Sequence, residues 1–403
     1  MKLLWAVQRY GEQALGGSEV AGREFAEQMV ALGHEVTVLT SCATSYTDWA
    51  NVYEPGESEL NGVRIVRLPV REPRRDSAFG PVHRQVLSET QPMLFQQQRW
   101  ARLIGPDLLG YEKWLSSNVN GFDVAIFKAY LYSMATRGIP LVFKRVPILY
   151  NPEAHPEEML NLALHDSIFR LADAFQFHSR EEAELVLRHF SIQKPHVVVG
   201  IGVKNHQFMH MNTNILQKFD LVSRKYAIVV GRIDGGKGSD DAISNFKRYQ
   251  TLSNSDLKLV FVGGHADSQD FPDSVCSTGF VTEDEKRDLI ANSLCLIQPS
   301  FLESFSIVLT EAWALKVPVL VQGRSAVLRG QTNRARGGLV YTNEADFCEQ
   351  LRHIESDEEL RTQCGQNGYE FVRSEYSWEL VMARFERAID LARSSFVGSK
   401  SRQ

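Results

Sequence analysis

The sequence predicts an α/β protein made of two similar domains, each built on a doubly wound parallel sheet. Three observations lead to this prediction. The chain has 403 residues, which exceeds the length of one ordinary hydrophobic core. Short apolar segments alternate repeatedly with helical patterns, and a polar stretch at 204–224 separates two such series. We therefore expect an N-terminal domain of residues 1–205, a C-terminal domain of residues 206–375, and a final helix at 376–395.

The first forty residues predict the opening β-α-β unit of the N-terminal domain. An apolar segment at 3–7 indicates a buried strand, and Gly16 and Gly17 lie in the turn that follows it. Ser18 is a suitable N-cap for a helix whose apolar residues recur on one face. Apolar residues that alternate with polar ones at 35–40 predict the second strand.

The remaining elements follow from the same patterns. In the N-terminal domain we predict strands at 63–70, 123–127, 146–150, 174–178 and 197–199, and helices within 81–120, around 157–173 and at 180–189. Ser179 is the expected N-cap of the helix at 180–189. In the C-terminal domain we predict strands at 226–230, 257–262, 294–298 and 318–321, and helices at 239–249, 284–292, after Ser304 and at 378–392.

The composition narrows the class of protein. Hydrophobic residues make up 43% of the chain and charged residues 23%, as in soluble globular proteins. The formal net charge of −5 argues against a nucleic-acid partner, which requires a basic surface. The five cysteines form no Cys-x-x-Cys pair, so we expect reduced thiols in a cytoplasmic protein.

Membrane insertion is not expected from the sequence. The first apolar segment is too short for the core of a signal peptide, and no apolar run is long enough to span a bilayer. Any membrane contact would therefore be peripheral, on the inner membrane face. The basic run Arg71, Arg74 and Arg75, with Phe79 nearby, is either a contact for anionic lipid headgroups or a solvated loop.

The strongest candidate site lies between Glu303 and Glu311. This stretch follows a predicted buried strand and leads into a helix, so Glu303 falls at the sheet edge where open α/β sheets bind ligands. The backbone N–H groups of Ser304, Phe305 and Ser306 are expected at the helix N-terminus, where they suit a phosphate or a hydroxyl. Periodicity alone would favour a solvated loop acid for Glu303 and a surface helix residue for Glu311, but the surrounding sequence favours the site.

A second candidate is the glycine-rich turn 231–238. Arg232 and Lys237 flank this turn between a strand and a helix, and two cations beside flexible backbone can hold a diphosphate. The spacing approaches that of an ATPase phosphate loop, but Gly238 stands where that loop needs Ser or Thr for magnesium. We therefore exclude an ATPase and predict a diphosphate clamp, with an ordinary exposed turn as the alternative.

Two weaker candidates lie in the N-terminal domain. Gly16 and Gly17 do not form a dinucleotide-binding fingerprint, so they either let backbone approach a phosphate or acceptor or form a simple tight turn. His155, in the loop after a predicted strand, either bonds a sugar or belongs to a polar helix start.

Together these motifs resemble family-4 retaining glycosyltransferases of the GT-B fold. The matching residues are Gly16-Gly17, Gly231-Arg232, Lys237-Gly238, Gly279-Phe280-Val281, Pro299-Ser300, the Glu-x7-Glu element Glu303 to Glu311, and Ser377-Trp378-Glu379. The resemblance covers nearly the whole chain. It implies two Rossmann-like domains that face a central cleft, an N-terminal acceptor domain and a C-terminal nucleotide-sugar donor domain. It also implies that the final helix crosses back to the N-terminal domain.

The resemblance also implies roles for individual residues. Arg232 and Lys237 would neutralise the donor diphosphate, Glu303 would face the donor sugar, and Glu311 would bind the ribose. The backbone at Phe280 and Val281 would read the base, the amides of Ser304, Phe305 and Ser306 would hold sugar and phosphate, and His155 would lie near the transferred sugar. This chain departs from the family at Ser304-Phe305-Ser306, which replaces Gly-Phe-Gly, and at Lys128, where many relatives have His.

The expected activity is transfer of a sugar from a UDP-, GDP- or other nucleotide-sugar donor to a saccharide or lipid-linked hydroxyl acceptor, in cell-surface polysaccharide or glycoconjugate synthesis. The sequence has no Asp-x-Asp metal motif, so neither a metal nor another cofactor is expected. A nucleotide-sugar epimerase and a non-catalytic nucleotide-sugar-binding protein are the alternatives.

Overall fold

A computed structural model describes residues 1–14, 16–203, 214–264, 271–272 and 274–400, without the side chains of 397–400. The chain divides into two compact units. Unit one comprises Met1–Gly200 with Met382–Gln403, and unit two comprises Ile201–Val381. Each unit contains its own sheet, so the predicted α/β class with two parallel-sheet domains is confirmed.

Unit one is built on an eight-stranded sheet among its described residues. The strands are β1 Lys2–Ala6, β2 Glu35–Ser41, β3 Gly56–Leu60, β4 Val63–Leu68, β5 Val124–Lys128, β6 Ile148–Asn151, β7 Ala174–Phe177 and β8 His196–Val198. Their spatial order is β3-β4-β2-β1-β5-β6-β7-β8. All neighbours are parallel except β3 and β4.

Helices connect these strands in unit one. They are α1 Gly17–Ala31, α2 Asp76–Ser88, α3 Leu94–Ile104, α4 Tyr111–Asn118, α5 Ser133–Val142, α6 Ala163–Leu171 and α7 Arg180–His189. Large aromatic side chains fill the core, among them Trp100, Phe127 and Tyr150. Phe385, from the C-terminal part of this unit, stacks on Trp5 with ring centroids 5.6 Å apart.

Unit two is built on a six-stranded, fully parallel sheet among its described residues. The strands are β9 Tyr226–Val230, β10 Lys258–Val262, β11 Val275–Ser277, β12 Cys295–Gln298, β13 Val319–Gln322 and β14 Gly338–Tyr341. Their order is β11-β10-β9-β12-β13-β14. The helices are α8 Asn214–Lys218, α9 Ser239–Ser253, α10 Glu283–Asn292, α11 Ile307–Ala314, α12 Ala326–Ala335, α13 Glu344–Ser356, α14 Glu358–Glu375 and α15 Trp378–Lys400, whose later residues belong to unit one.

The strand order creates one switch point in each sheet. In unit one the chain runs outward from β1 to one side and returns to place β5 on the other side of β1. In unit two it runs outward from β9 and returns to place β12 beside β9. The loops that leave the carboxyl ends of the two central strands diverge there, which opens a crevice for ligands.

Several sequence predictions need correction. Ser18 is not the N-cap of α1: that position is Gly16, and Ser18 lies within the helix. The polar–apolar alternation predicted for β2 is wrong because Thr37 is also buried, as expected where a parallel strand is covered on both faces. The helix predicted around 157–173 begins with a 3-10 turn, Glu158–Asn161, ahead of α6. Ser179 is confirmed as the N-cap of α7.

Candidate functional site

The first group of candidate residues lies at the switch point of unit two. The loop 231–238 leaves β9 and the loop 299–306 leaves β12, which is the neighbouring strand. The two loops are in direct contact: a Cβ atom placed on Gly238 would overlap the backbone carbonyl of Pro299. Gly238 also has a φ of 73°, in the left-handed region that favours glycine. Glycine therefore allows the loops to approach this closely.

The loop after β9 presents both predicted cations. Its turn is fixed by Asp234, whose side chain accepts a 2.9 Å hydrogen bond from the backbone N–H of Lys237. The Arg232 side chain is half exposed, and its Nε lies 3.5 Å from Asp234 Oδ2. The ammonium of Lys237 extends to the other loop and lies 2.8 Å from Glu303 Oε1. The structure thus brings the turn that carries Arg232 and Lys237 together with Glu303, which lies 66 residues beyond Lys237 in the sequence.

The loop after β12 holds Glu303 in a mostly buried position. Glu303 is 8% exposed, and its partner Lys237 compensates part of the cost of burying a carboxylate. Phe305 is buried and packs edge-on against Tyr376 at 5.2 Å. This contact anchors the loop to the body of unit two.

The helix after this loop begins later than predicted. α11 starts at Ile307 and Ser306 is its N-cap, so Ser304 and Phe305 precede the helix rather than form its first turn. The Ser306 hydroxyl accepts a 3.0 Å hydrogen bond from Gln298 Nε2 and makes no capping bond. The backbone of Ser304–Ser306 nevertheless leads directly into the helix N-terminus, where the dipole favours negative charge.

Glu311 is held by a lysine that the sequence patterns did not single out. Lys286, on α10, lies 2.9 Å from Glu311 Oε1 and 2.7 Å from Glu283 Oε2. Burial disfavours the charge on Lys286, but the two carboxylates outweigh burial and raise its pKa. Only the spatial proximity of α10 and α11 reveals this pairing, since 25 residues separate Lys286 from Glu311.

Phe280 and Val281 lie at the same edge of the sheet but farther from the switch point. They follow β11, and β10 separates β11 from β9. The Phe280 side chain is 76% exposed, and its ring covers the α-carbon of Gly264, because a Cβ there would lie 2.5 Å from ring atoms. An exposed aromatic face is thus available beside the backbone predicted to read the base.

The predicted glycines of unit one lie at its own switch point. Gly16 has a φ of 146° and Gly17 is the first residue of α1. This φ favours glycine, and a Cβ on Gly16 would also displace the carboxylate of Glu19. The Ser18 hydroxyl donates a 2.7 Å hydrogen bond to Glu153 Oε2, which joins the start of α1 to the loop after β6.

Lys128, which takes the place of the family histidine, is part of a buried charge cluster. Its ammonium lies 3.0 Å from Glu153 Oε1 and also bonds the Ser18 carbonyl. His178 Nε2 lies 3.5 Å from the same Glu153 oxygen. Burial alone would raise the pKa of Glu153, but Lys128 and His178 hold it well below its usual range.

The same cluster fixes the loop that carries His155. Glu182 accepts hydrogen bonds from the backbone N–H groups of Ala154 and His178, at 2.9 Å and 2.7 Å. Burial raises the pKa of Glu182 to about 7. His155 is partly exposed, with Nδ1 3.4 Å from Glu157 Oε1.

The basic run does not form a single cationic face. Arg71 lies 3.4 Å from Asp107. Arg74 is mostly buried, with its guanidinium 5.1 Å above the Phe79 ring. Arg75 is exposed at the start of α2.

No helix in the described part of the chain is long and apolar enough to cross a membrane. The described residues also contain no cluster of three or more His, Cys, Asp or Glu side chains suited to a metal.

Comparison with family models covers most of the chain. Residues 16–202 match the model described as glycosyl transferase 4-like domain. Residues 212–371 match the model described as glycosyl transferases group 1. The two matches correspond closely to the two structural units.

Curated relatives match at low identity. An uncharacterized glycosyltransferase of Methanocaldococcus jannaschii is 22% identical over 94% of this chain and 96% of its own length. The capsular polysaccharide biosynthesis glycosyltransferase CapM of Staphylococcus aureus is 24% identical over 55% of this chain. That match spans 62% of CapM. A third relative, glycosyltransferase 1 domain-containing protein 1 of Xenopus tropicalis, is 26% identical over 27% of this chain and 31% of its own length.

Solved structures match over the full chain. Sucrose-phosphate synthase from Thermosynechococcus elongatus aligns with a TM-score of 0.71 at 16% identity, over 98% of this chain and 99% of that one. Anabaena HepE, solved in complex with UDP, aligns with a TM-score of 0.67 at 12% identity, over the whole of both chains. These likenesses show the fold.

Proposed function

Since the chain belongs to the group 1 glycosyltransferases of the GT-B fold, we propose that it moves a sugar from a nucleoside diphosphate sugar to a hydroxyl acceptor with retention of anomeric configuration. The observation that carries this proposal is the contact between Lys237 and Glu303 at the switch point of unit two, on the turn that also carries Arg232. This location is where open α/β sheets bind nucleotides.

Arg232 and Lys237 are proposed to bind the diphosphate and stabilise it as the leaving group. Two cations on one loop supply fixed positive charge where negative charge develops during cleavage of the sugar–phosphate bond. The dipole of α11 adds to this field from the adjacent loop. With this counter-charge supplied by the protein, the proposed reaction needs no metal ion.

The two glutamates are proposed to bind hydroxyl groups of the donor. Glu303 borders the diphosphate site and would accept hydrogen bonds from the transferred sugar. Glu311, positioned by Lys286, would bind the ribose diol, because a carboxylate can accept from two neighbouring hydroxyls. The backbone near Phe280 would read the base, and UDP is the first nucleotide to test, given the UDP complex of HepE.

Retention is proposed to arise from attack on the same face from which the diphosphate departs. In this scheme the acceptor hydroxyl forms the new bond to the anomeric carbon as the bond to phosphate breaks. A phosphate oxygen of the leaving group accepts the hydroxyl proton, so no side chain acts as general base. The role of His155, in unit one, is then to bind the sugar rather than to remove the proton.

The experiment that tests the proposal combines ligand binding with kinetics. A thermal-shift screen of UDP, GDP, ADP, TDP and their sugars identifies the donor, since a ligand at 100 times its Kd stabilises the folded protein by about 2.7 kcal/mol. Arg232→Ala and Lys237→Ala should then each lower kcat on the order of a hundredfold or more. Lys247→Ala, at an exposed position on α9, is the matched control and should leave kcat unchanged. Near wild-type turnover by both clamp variants would refute the assignment.

Two alternatives remain distinguishable by product analysis. An epimerase would convert the donor sugar without any acceptor. A non-catalytic binding protein would bind the nucleotide-sugar but yield no free nucleoside diphosphate. Release of nucleoside diphosphate together with a glycosylated acceptor is the result that we expect.

Peripheral contact with a membrane is part of the proposal, but at a different place from the basic run. Met93, Leu94 and Phe95 are consecutive and exposed at the start of α3, and Arg99 and Arg102 are exposed farther along that helix. Apolar and basic side chains together suit an anionic bilayer surface on the cytoplasmic side, where each cation contributes about 1 kcal/mol. Changing the three apolar residues to Ser should reduce sedimentation with anionic vesicles, and an unchanged bound fraction would remove this contact.

A further inference from the structure

Glu182 is a buried carboxylate that no step of the proposed reaction uses. It lies in the first turn of α7 and is 1% exposed. Burying a carboxylate is costly unless its oxygens receive hydrogen bonds. Oε1 accepts a 2.9 Å bond from the Ala154 N–H, and Oε2 accepts a 2.7 Å bond from the His178 N–H. This one side chain therefore joins α7 to the loop after β6 and to the end of β7.

These two bonds differ from those of ordinary helix capping. Glu182 is the third residue after Ser179, the N-cap of α7, whose hydroxyl accepts a bond from the Glu182 N–H. A glutamate or a glutamine at this position commonly bonds back to the N–H of the N-cap itself. In this chain the carboxylate bonds the residue before the N-cap and a separate loop. It receives one N–H at each oxygen, which requires two acceptor oxygens and therefore an ionised carboxylate.

The loop that Glu182 contacts begins in a conformation that its own residues disfavour. Glu153, which follows β6, has a φ of 51°, in the left-handed region that favours glycine. The Glu153 side chain is fixed by the ammonium of Lys128, 3.0 Å away. The N–H of the next residue, Ala154, is fixed by Glu182. Contacts at two successive residues thus maintain the turn that directly precedes His155.

His155 is the residue of this loop that is proposed to bind the transferred sugar. Its side chain is 28% exposed, and Nδ1 lies 3.4 Å from Glu157 Oε1, which is beyond the usual range of a hydrogen bond. A displacement of the preceding turn would move the imidazole with the backbone. A misplacement of about 1 Å at a positioning group can cost on the order of a hundredfold in rate.

From these contacts we propose that Glu182 is a positioning residue for the donor sugar: its ionised carboxylate binds the Ala154 N–H and keeps His155 in place, and protonation of Glu182 releases the loop. A protonated carboxyl turns one of its oxygens into a donor. That oxygen would then face a backbone N–H, so one of the two bonds would be lost. The inference rests on the proposed function, because it takes His155 to bind the sugar.

The environment of Glu182 sets the pH at which the loop would be released. Burial is the largest influence and raises the pKa of Glu182 to about 7. His178, at the end of β7, favours the ionised form, whereas Glu153, in the loop after β6, opposes it. Lys128, at the end of β5, is paired with Glu153. Both bonds of Glu182 should therefore be present above about pH 7, and one should be lost below it.

The first experiment follows these bonds directly and requires no turnover. Backbone amide NMR spectra of the 15N-labelled full chain are recorded across a pH series that brackets neutrality. We expect the amide signals of Ala154 and His178 to shift together with a midpoint near pH 7, and to lose this shift in Glu182→Gln. Wild-type signals that do not move across the series would overturn the proposal, even if the variant failed to fold.

The second experiment asks whether Glu182 acts through His155. Above neutral pH, Glu182→Gln should lower kcat/KM for the donor about tenfold, the loss of one hydrogen bond to a charged group. His155→Ala should lower it at least as much, and the double variant should be no slower than His155→Ala. Additive losses would indicate a merely structural role and overturn the proposal. Glu184→Gln, at an exposed position on the same helix, is the matched control and should leave kcat/KM unchanged.

The pH profile of the same reaction provides a further readout that a structural role would not change. In the wild type, kcat/KM should fall as the pH drops through about 7, because Glu182 takes up a proton. Glu182→Gln should lack this part of the fall, since all other groups contribute equally to both profiles. Profiles of identical shape would contradict release of the loop by protonation.

Failure of this inference can be told apart from failure of the proposed function. If the wild type transfers no sugar from any nucleotide-sugar, the proposed function fails, whereas the amide signals still test the bond to Ala154. If the wild type transfers sugar and Glu182→Gln keeps the wild-type kcat/KM and pH profile, the inference alone fails.

Discussion

His165 should make the stability of unit one depend on pH. This residue of α6 is 0% exposed, and neither ring nitrogen has a hydrogen-bond partner among the described residues. Its ring packs edge-on against Tyr130 at 4.9 Å and Trp100 at 6.2 Å. Burial lowers the pKa of His165 to about 3, so the folded protein keeps this imidazole neutral at every mildly acidic pH.

The sign and size of the effect follow from the two pKa values. An unfolded chain protonates a histidine near pH 6.5, while folded His165 resists protonation down to about pH 3. Because the folded pKa is depressed, the unfolded state binds more protons below pH 6.5 and stability falls as the pH falls. One proton changes the free energy of unfolding by about 1.4 kcal/mol per pH unit. Between pH 6.5 and 5 the loss from His165 is therefore about 2 kcal/mol.

The assay compares urea unfolding at pH 7 and pH 5, at constant ionic strength, by tryptophan fluorescence. His165→Phe keeps a ring against Tyr130 and Trp100 but cannot take up a proton. We expect the wild type to lose about 2 kcal/mol more than this variant between the two pH values. Ser167→Ala, at an exposed position on the same helix as His165 and without an ionisable side chain, should keep the wild-type pH dependence.

The comparison between variants is needed because another buried group acts in the opposite direction. Burial raises the pKa of Glu182 to about 7, so the folded state binds this proton before the unfolded state does. Glu182 therefore adds stability as the pH falls from about 7 towards its ordinary range, and both variants retain it. Equal pH dependence in the wild type and His165→Phe would refute the reasoning for His165.

Three further predictions concern unit two. Gly238→Ala should lower the free energy of unfolding by more than about 1 kcal/mol and weaken nucleotide binding, because Gly238 has a φ of 73° and faces the Pro299 carbonyl. Gly235→Ala is the control and should have neither effect, since only open space and a distant carboxylate lie near Gly235. Equal urea unfolding midpoints for the two variants would contradict the prediction. Lys286→Met should raise the donor KM severalfold with little change in kcat, since the substitution removes the partner that orients Glu311. A fall in kcat with an unchanged KM would contradict an orienting role for Lys286. EDTA should leave the rate of sugar transfer within about twofold of the untreated rate, because the proposed clamp would neutralise the diphosphate with side chains. Full loss of activity that magnesium restores would contradict this prediction.

Part of the fold could be predicted from local patterns in the sequence. The strongly apolar strand Tyr226–Val230 and the helix Arg180–His189 match the predicted bounds. The helix Ser133–Val142 was missed because it contains Gly138 and Pro140, which are both poor helix formers. Tertiary packing of its apolar residues against the sheet, rather than local preference, makes it helical.

The candidate site could be predicted only in part. The positions of the two loops follow from strand–turn–helix patterns, because carboxyl ends of parallel strands share one edge. The partners of the charged residues could not be predicted, since Lys286 and Glu311, or Lys128 and Glu153, meet only after the sheet has formed. The later start of α11 was also missed, because Ser304 and Ser306 are both acceptable N-caps by residue type.

Under the proposed function, the ion pair between Lys237 and Glu303 would make donor binding an exchange of one anion for another. Each proposed clamp cation faces a carboxylate, Lys237 with Glu303 and Arg232 with Asp234. A diphosphate that binds there replaces one anion by another. The affinity for the donor should therefore depend less on salt concentration than it would at a site with two unpaired cations. The displaced Glu303 carboxylate would then be able to accept hydrogen bonds from the sugar hydroxyls, as proposed. In this scheme, capture of the phosphate and recognition of the sugar would be coupled through Lys237.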